Sequence, residues 1–190
     1  MTIAMRVLGF DPGLRLTGFG CVEGDSFRAT LVEAGVIRLT RGAGPVPPIG
    51  DRLVELERDV VDAIERTNPD AICVESLFAH KAFPATAVAM GHARGVLLLC
   101  ARRARIDLIE LAPRLVKSSI TGSGRASKEQ MQLAIQSLFA LPAPPNPPDV
   151  ADALAIAVAG LRRAAAPTVD AASPGLDSVN PRRSGTPKRL

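Results

Sequence analysis

The sequence predicts an α/β fold, a mixed five-stranded sheet with helices on both faces. Three β-like apolar runs follow one another near the start of the chain, separated only by short turns. From residue 51 onward, helix-length periodic segments alternate with short apolar strands. The 190 residues are 47% hydrophobic and 22% charged, which suits one globular domain with a sizeable core.

Residues 7–10 are a short apolar run that stops at Asp11-Pro12-Gly13, as a buried strand entering a turn does. Residues 16–22 and 29–39 are two further strands, divided by Glu23-Gly24-Asp25-Ser26, and together the three suggest an antiparallel meander. A Gly/Pro loop follows over 42–48. Over 51–67, Leu53, Leu56, Val60 and Ile64 keep the spacing of an amphipathic helix, which Asn68-Pro69-Asp70 ends. Residues 71–74 form a second short strand, closed by Glu75. Residues 85–103 are a helix with small side chains at Ala89, Gly91, Ala93 and Gly95. A strand over 106–111, a short helix over 113–120 and a Gly/Ser loop over 121–125 come next. Ser127 is placed to cap a helix running to Leu138. Residues 141–148 hold five prolines, and an apolar helix spans 149–166. The domain is therefore expected over 1–166. Residues 167–190 turn to Pro, Ser, Gly, Asp and Arg, and read as a disordered basic tail.

No apolar run reaches the roughly 18 residues of a membrane span, and residues 1–9 lack the pattern of a signal peptide. Cys21, Cys73 and Cys100 lie singly in apolar segments, so they read as reduced core residues rather than disulfides or a zinc site. A cytoplasmic protein is expected. The net charge of +4 and pI near 9.4 are compatible with a nucleic-acid partner.

A strand–helix–strand crossover makes the 106–111 strand parallel to the 71–74 strand. If the first strand also lies parallel beside the latter, Asp11 and Glu75 meet at one sheet edge, where open α/β sheets place their sites. Asp149 and Asp152, three apart at a helix start, share one helix face. Taken singly, each acid has an ordinary explanation: a turn, a strand end, or a complement to the helix dipole. Brought together, they repel strongly in a low-dielectric cleft and are better explained by a divalent cation. All-oxygen ligands favour Mg²⁺ or Mn²⁺ over zinc.

The blocks Gly9-Phe10-Asp11-Pro12-Gly13, Val74-Glu75, Gly91-His92-Ala93-Arg94-Gly95, Gly122 to Lys128, and Asp149 to Ala155 resemble the RuvC family of Holliday-junction resolvases. They occur in family order over about residues 6–161. The Asp-Pro-Gly block alone is unspecific; the five together are not. The resemblance implies a ribonuclease-H-like fold and paired symmetric nicking of four-way DNA junctions, in recombination and DNA repair. It implies two metal ions per site held by Asp11, Glu75, Asp149 and Asp152, and products with 5′-phosphate and 3′-hydroxyl ends. It also implies a homodimer through the 85–103 helix and cooperation with the RuvA and RuvB branch-migration proteins.

Within the same resemblance, Phe78 matches an aromatic that stacks on an unpaired base, and Lys117 and Lys128 match basic residues near the active site. Lys81, Arg114 and Arg125 are further candidate phosphate contacts, as are the hydroxyls of Ser118, Ser119 and Ser123. Many relatives carry Asn after a Lys here, whereas Lys81 is followed by Ala82 and the segment to Gly91 is one residue longer. His92 reads as a helix-packing residue and His80 as a phosphate contact. Three other readings compete: a ribosomal-RNA-trimming nuclease of the same superfamily, a module that binds branched DNA without cutting it, and an actin-type ATPase. The intact acid set argues against the binding module, and the chain length argues against the duplicated ATPase.

Overall fold

The computed structural model describes residues 4–40, 44–76 and 84–164, with side chains from 87 onward in the last segment. Phe78, His80, Lys81 and the expected tail at 167–190 lie outside the described residues.

The first three strands are β1 (Met5–Asp11), β2 (Leu16–Gly24) and β3 (Ala29–Arg38). Then come α1 (Ile49–Thr67), β4 (Ala71–Glu75), α2 (Pro84–Ala104) and β5 (Asp107–Leu111). Helices α3 (Pro113–Thr121), α4 (Lys128–Leu138) and α5 (Pro148–Ala164) complete the chain. The sheet order is β3-β2-β1-β4-β5, antiparallel through the first three strands and parallel from β1 to β5. The expected parallel pairing of β1 with β4 is present.

The strands' alternation of side chains divides the core into two layers. Leu8 and Phe10 of β1, with Ile72 and Val74 of β4, pack under α1 and α2. Val7 and Cys73 face the other way and pack with the apolar side of α5 and with Met131 and Ile135 of α4. The three cysteines are free and buried in these layers.

Two glycines let α5 lie almost on the sheet. A Cβ at Gly9 would sit 2.4 Å from the Ala153 carbonyl oxygen, and one at Gly18 would sit 2.1 Å from that of Asp149. The sheet is clipped at its far end by Arg6, whose amide donates to Asp70 at 2.7 Å and whose guanidinium holds Glu23 at 2.9 Å. Ser127 caps α4 as expected: its side chain accepts from the Gln130 amide, and the Gln130 side chain accepts from the Ser127 amide.

One expectation fails. His92 does not pack in the core but is exposed on α2. Val88, His92, Gly95 and Leu99 follow one another at helical spacing on the outer side, while Ala93 and Leu97 take the inward positions. The small residues divide in the same way: Ala93 is in the core, and a Cβ at Gly91 or Gly95 would meet nothing within 4 Å.

Candidate active site

The site grows out of the strand alternation. Asp11 continues the Val7–Gly9 side of β1, and Glu75 continues the Cys73 side of β4, so both carboxylates emerge toward α5. Gly9 lies opposite Cys73 and Phe10 opposite Val74; one further step along that register sets Asp11 beside Glu75. The close approach of α5 over Gly9 and Gly18 then brings its first turn onto the same edge.

Asp11, Glu75 and Asp152 line one cavity of about 190 Å³ with Lys117, Lys128, Val116, Met131, Ala155 and Ile156. That volume suits a hydrated ion or a single phosphate group and is too small for a nucleoside. Asp149 stands at its border, in the wall of a neighbouring cavity, with its charge still felt at Asp11 and Asp152.

The electrostatics match the crowding. Burial pushes the Asp11 carboxyl up to about 7, and Asp152, Asp149 and Glu75 add to the shift in that order. Glu75 is raised by burial and by Asp152, against the opposing pull of Lys117 and Lys128. Asp152 is also raised, mainly by burial, although the Lys128 ammonium lies 3.6 Å from its Oδ2. This is an all-oxygen donor set that strains to hold its own charge, and a hard divalent cation fits it. Among the described residues, no three His, Cys, Asp or Glu side chains stand placed to hold a metal ion together.

Residues 7–160 match the family model for crossover junction endodeoxyribonuclease RuvC. The chain belongs to the RuvC family. RuvC from Pelotomaculum thermopropionicum is 42% identical over 154 residues, covering 81% of this chain and 91% of that protein. RuvC from Azorhizobium caulinodans is 41% identical over 169 residues, covering 85% and 96%. The solved structure of T. thermophilus RuvC in complex with Holliday junction substrate superposes with a TM-score of 0.75 at 30% identity, covering 85% of this chain and 97% of that one. The yeast mitochondrial Holliday junction resolvase, at 16% identity and a TM-score of 0.58, shares the fold. As a RuvC-family member the chain is an endodeoxyribonuclease with a ribonuclease-H-like fold.

The RuvC-type cleft shows how the other expected residues are placed. Lys117 is half-buried, and its ammonium donates to the Ala126 carbonyl at 2.8 Å, tying α3 to the loop before α4. Lys128 is the first residue of α4 and is exposed at the mouth. Arg114 and Arg125 are exposed but do not line the cavity. The hydroxyls of Ser118 and Ser119 are less available than their positions suggest. Ser118 and Ser119 donate to the carbonyls of Leu115 and Val116, and Ser123 accepts from the Arg125 amide. Phe78 and Lys81 fall outside the described residues.

Arg94 has no role legible in the sequence, and it is the buried cation behind the site. It is 9% exposed, forms an ion pair with Glu110 of β5, and donates from Nη1 to the Glu75 backbone oxygen at 3.2 Å. It therefore fixes the strand end that carries one of the acids. The one signal along the chain is an arginine at an inward position of an otherwise apolar helix.

Proposed function

We propose that this chain is a Holliday-junction resolvase that cuts two strands of a four-way DNA junction by metal-dependent phosphodiester hydrolysis. The observation that carries the reading is the convergence of Asp11, Glu75 and Asp152, with Asp149 at the border and two lysines, in one small cleft at the carboxyl edge of the parallel strands. These four carboxylates would hold the metal, and Mg²⁺ with Mn²⁺ as substitute suits their chemistry. Two such ions, when bound, supply an activated water and stabilise charge on the departing oxygen.

The chain's own residues do the rest. Asp11, Glu75, Asp149 and Asp152 would be the ligands, and Asp11, whose carboxyl burial and its acidic neighbours push up to about 7, would gain most from the cation. Lys117, fixed by Ala126, would bind a non-bridging phosphate oxygen. Lys128 would leave Asp152 to meet the backbone as the strand enters. Arg94 keeps Glu75 in place through its backbone. Hydrolysis leaves a 5′-phosphate and a 3′-hydroxyl. Paired nicks require two equivalent sites, which a twofold dimer provides. The outward stripe of α2, with Val88 and Leu99 exposed, is the face for it. Cooperation with RuvA and RuvB belongs to the same reading.

The test is cleavage of a synthetic four-way junction with Mg²⁺, Mn²⁺ or EDTA, with linear duplex and RNA hairpin as controls. Metal-dependent paired nicks confined to the junction are expected, and Asp11→Asn should abolish them while leaving junction binding within about threefold. Binding without cutting would turn the protein into a branched-DNA-binding module. Cutting confined to RNA would move it to the RNA-trimming branch of the superfamily.

A further inference from the structure

A second cavity opens on the other side of Asp149. It measures about 820 Å³ and is lined by Gly13, Leu14, Leu16, Thr40, Ala89 and Met90 together with three arginines, Arg15, Arg38 and Arg52. The arginines come from separate elements: the turn after β1, the end of β3 and the first turns of α1. Leu16 pairs with Arg38, and the Leu39 amide donates to the Arg15 carbonyl at 3.0 Å, so the ladder itself gathers Arg15 and Arg38. Arg52 is anchored by donation from Nη1 to the Leu14 carbonyl at 2.7 Å. Asp149 is the acid in this wall, against three cations.

Arg15 and Arg38 are exposed and, among the described residues, form no ion pair. That sets them apart from Arg6, Arg58, Arg66 and Arg103, each of which meets a carboxylate. The Arg52 Nε is buried and has no hydrogen-bond partner. An anionic oxygen entering this cavity would meet the exposed guanidinium groups of Arg15 and Arg38 beside the Arg52 side chain. The acids add a second argument. A polyanionic strand crossing a four-carboxylate cleft is repelled there and must be held by cations on both sides. Lys117 and Lys128 stand on one side only.

We propose that Arg15, Arg38 and Arg52 form a phosphate-binding groove that grips the DNA backbone on the far side of Asp149 from the lysines. The strand then runs from the lysine pair, over the carboxylates and into the arginine groove. This proposal rests on the resolvase reading for the identity of the strand, but the groove binds phosphates whether or not they are cut.

The test is binding of a fluorescent synthetic four-way junction in EDTA, followed by anisotropy over roughly 0.05–0.3 M KCl. The variant Arg15→Ala/Arg38→Ala is compared with Arg28→Ala/Arg163→Ala. The latter removes the same charge from exposed positions at the opposite end of the sheet, in the β2–β3 turn and the last turn of α5. Each phosphate contact removed lowers the slope of log K against log salt by about 0.9. The groove pair should therefore lose about 1.8 in slope, equivalent to about 30-fold in affinity at roughly 0.15 M salt. The control pair should change the slope by less than about half of one such step. Equal slopes for the two double variants would overturn the groove, and so would a wild-type protein that binds no junction. If the wild-type protein binds without cutting while the groove pair loses slope, the resolvase reading fails and the groove stands. If it cuts while the slopes match, the reverse holds. Thermal melting of both variants distinguishes weakened DNA binding from an unfolded protein.

Discussion

A carboxyl at the end of a strand ordinarily titrates near 3.8, and Asp11 is pushed to about 7. The folded chain binds that proton more tightly than the unfolded chain, so protonated Asp11 favours the fold. Its contribution is complete below about pH 4 and is lost as pH rises through about 7. In EDTA the protein should therefore lose stability between those values, by an amount on the order of a few kcal/mol. Asp11→Asn removes the penalty. Its melting temperature should exceed that of the wild type by several degrees at about pH 8, and the gap should close toward about pH 5. Differential scanning fluorimetry across pH measures it. A gap of constant size would show that Asp11 is not the strained group. Added Mg²⁺ should raise the wild type more than the variant, because a ligand that binds only the fold stabilises it. Asp11 is legible in the sequence because a turn motif follows an apolar run. Arg94 is not, because burial of a single helix residue depends on the angle at which α2 meets the sheet.

At the scale of elements, α5 decides the site. Its first two turns carry two acids, Asp149 and Asp152, and its seating on β1 and β2 relies on glycines. Gly18→Ala would drive a methyl group into the Asp149 backbone, 2.1 Å from its carbonyl oxygen, and lift that turn from Asp11. Single-turnover cleavage should fall by about 100-fold, the scale on which ångström misplacement acts. A parallel loss of melting temperature is expected, and full activity would show that the turn has slack. The β1–β4 pairing follows from strand order and the crossover rule, and the sheet bears it out. The close approach of α5 does not follow from the sequence, because glycines at alternate strand positions read equally well as weak strand formers.

For the whole molecule, the described residues of one chain form one carboxylate cleft, while paired nicking of a junction calls for two. The outward stripe of α2 leaves Leu99 46% exposed and Val88 59% exposed. In the dimer we propose, Leu99→Glu should convert a pair of 19.9 kDa chains to monomers in light scattering and replace paired nicks with single ones. A variant that remains dimeric would place the interface elsewhere.

The sequence by itself determined the order and type of the elements, the four acids and the family to which the chain belongs. These depend on local periodicity, on turn chemistry and on motifs that survive in one dimension. Tertiary structure alone decided that Arg94 faces inward while His92 faces out, that the Ser118 and Ser119 hydroxyls donate within α3, and that Arg15, Arg38 and Arg52 share one cavity. Each of these depends on how far and at what angle distant segments approach. Packing sets that geometry, and no spacing along the chain encodes it.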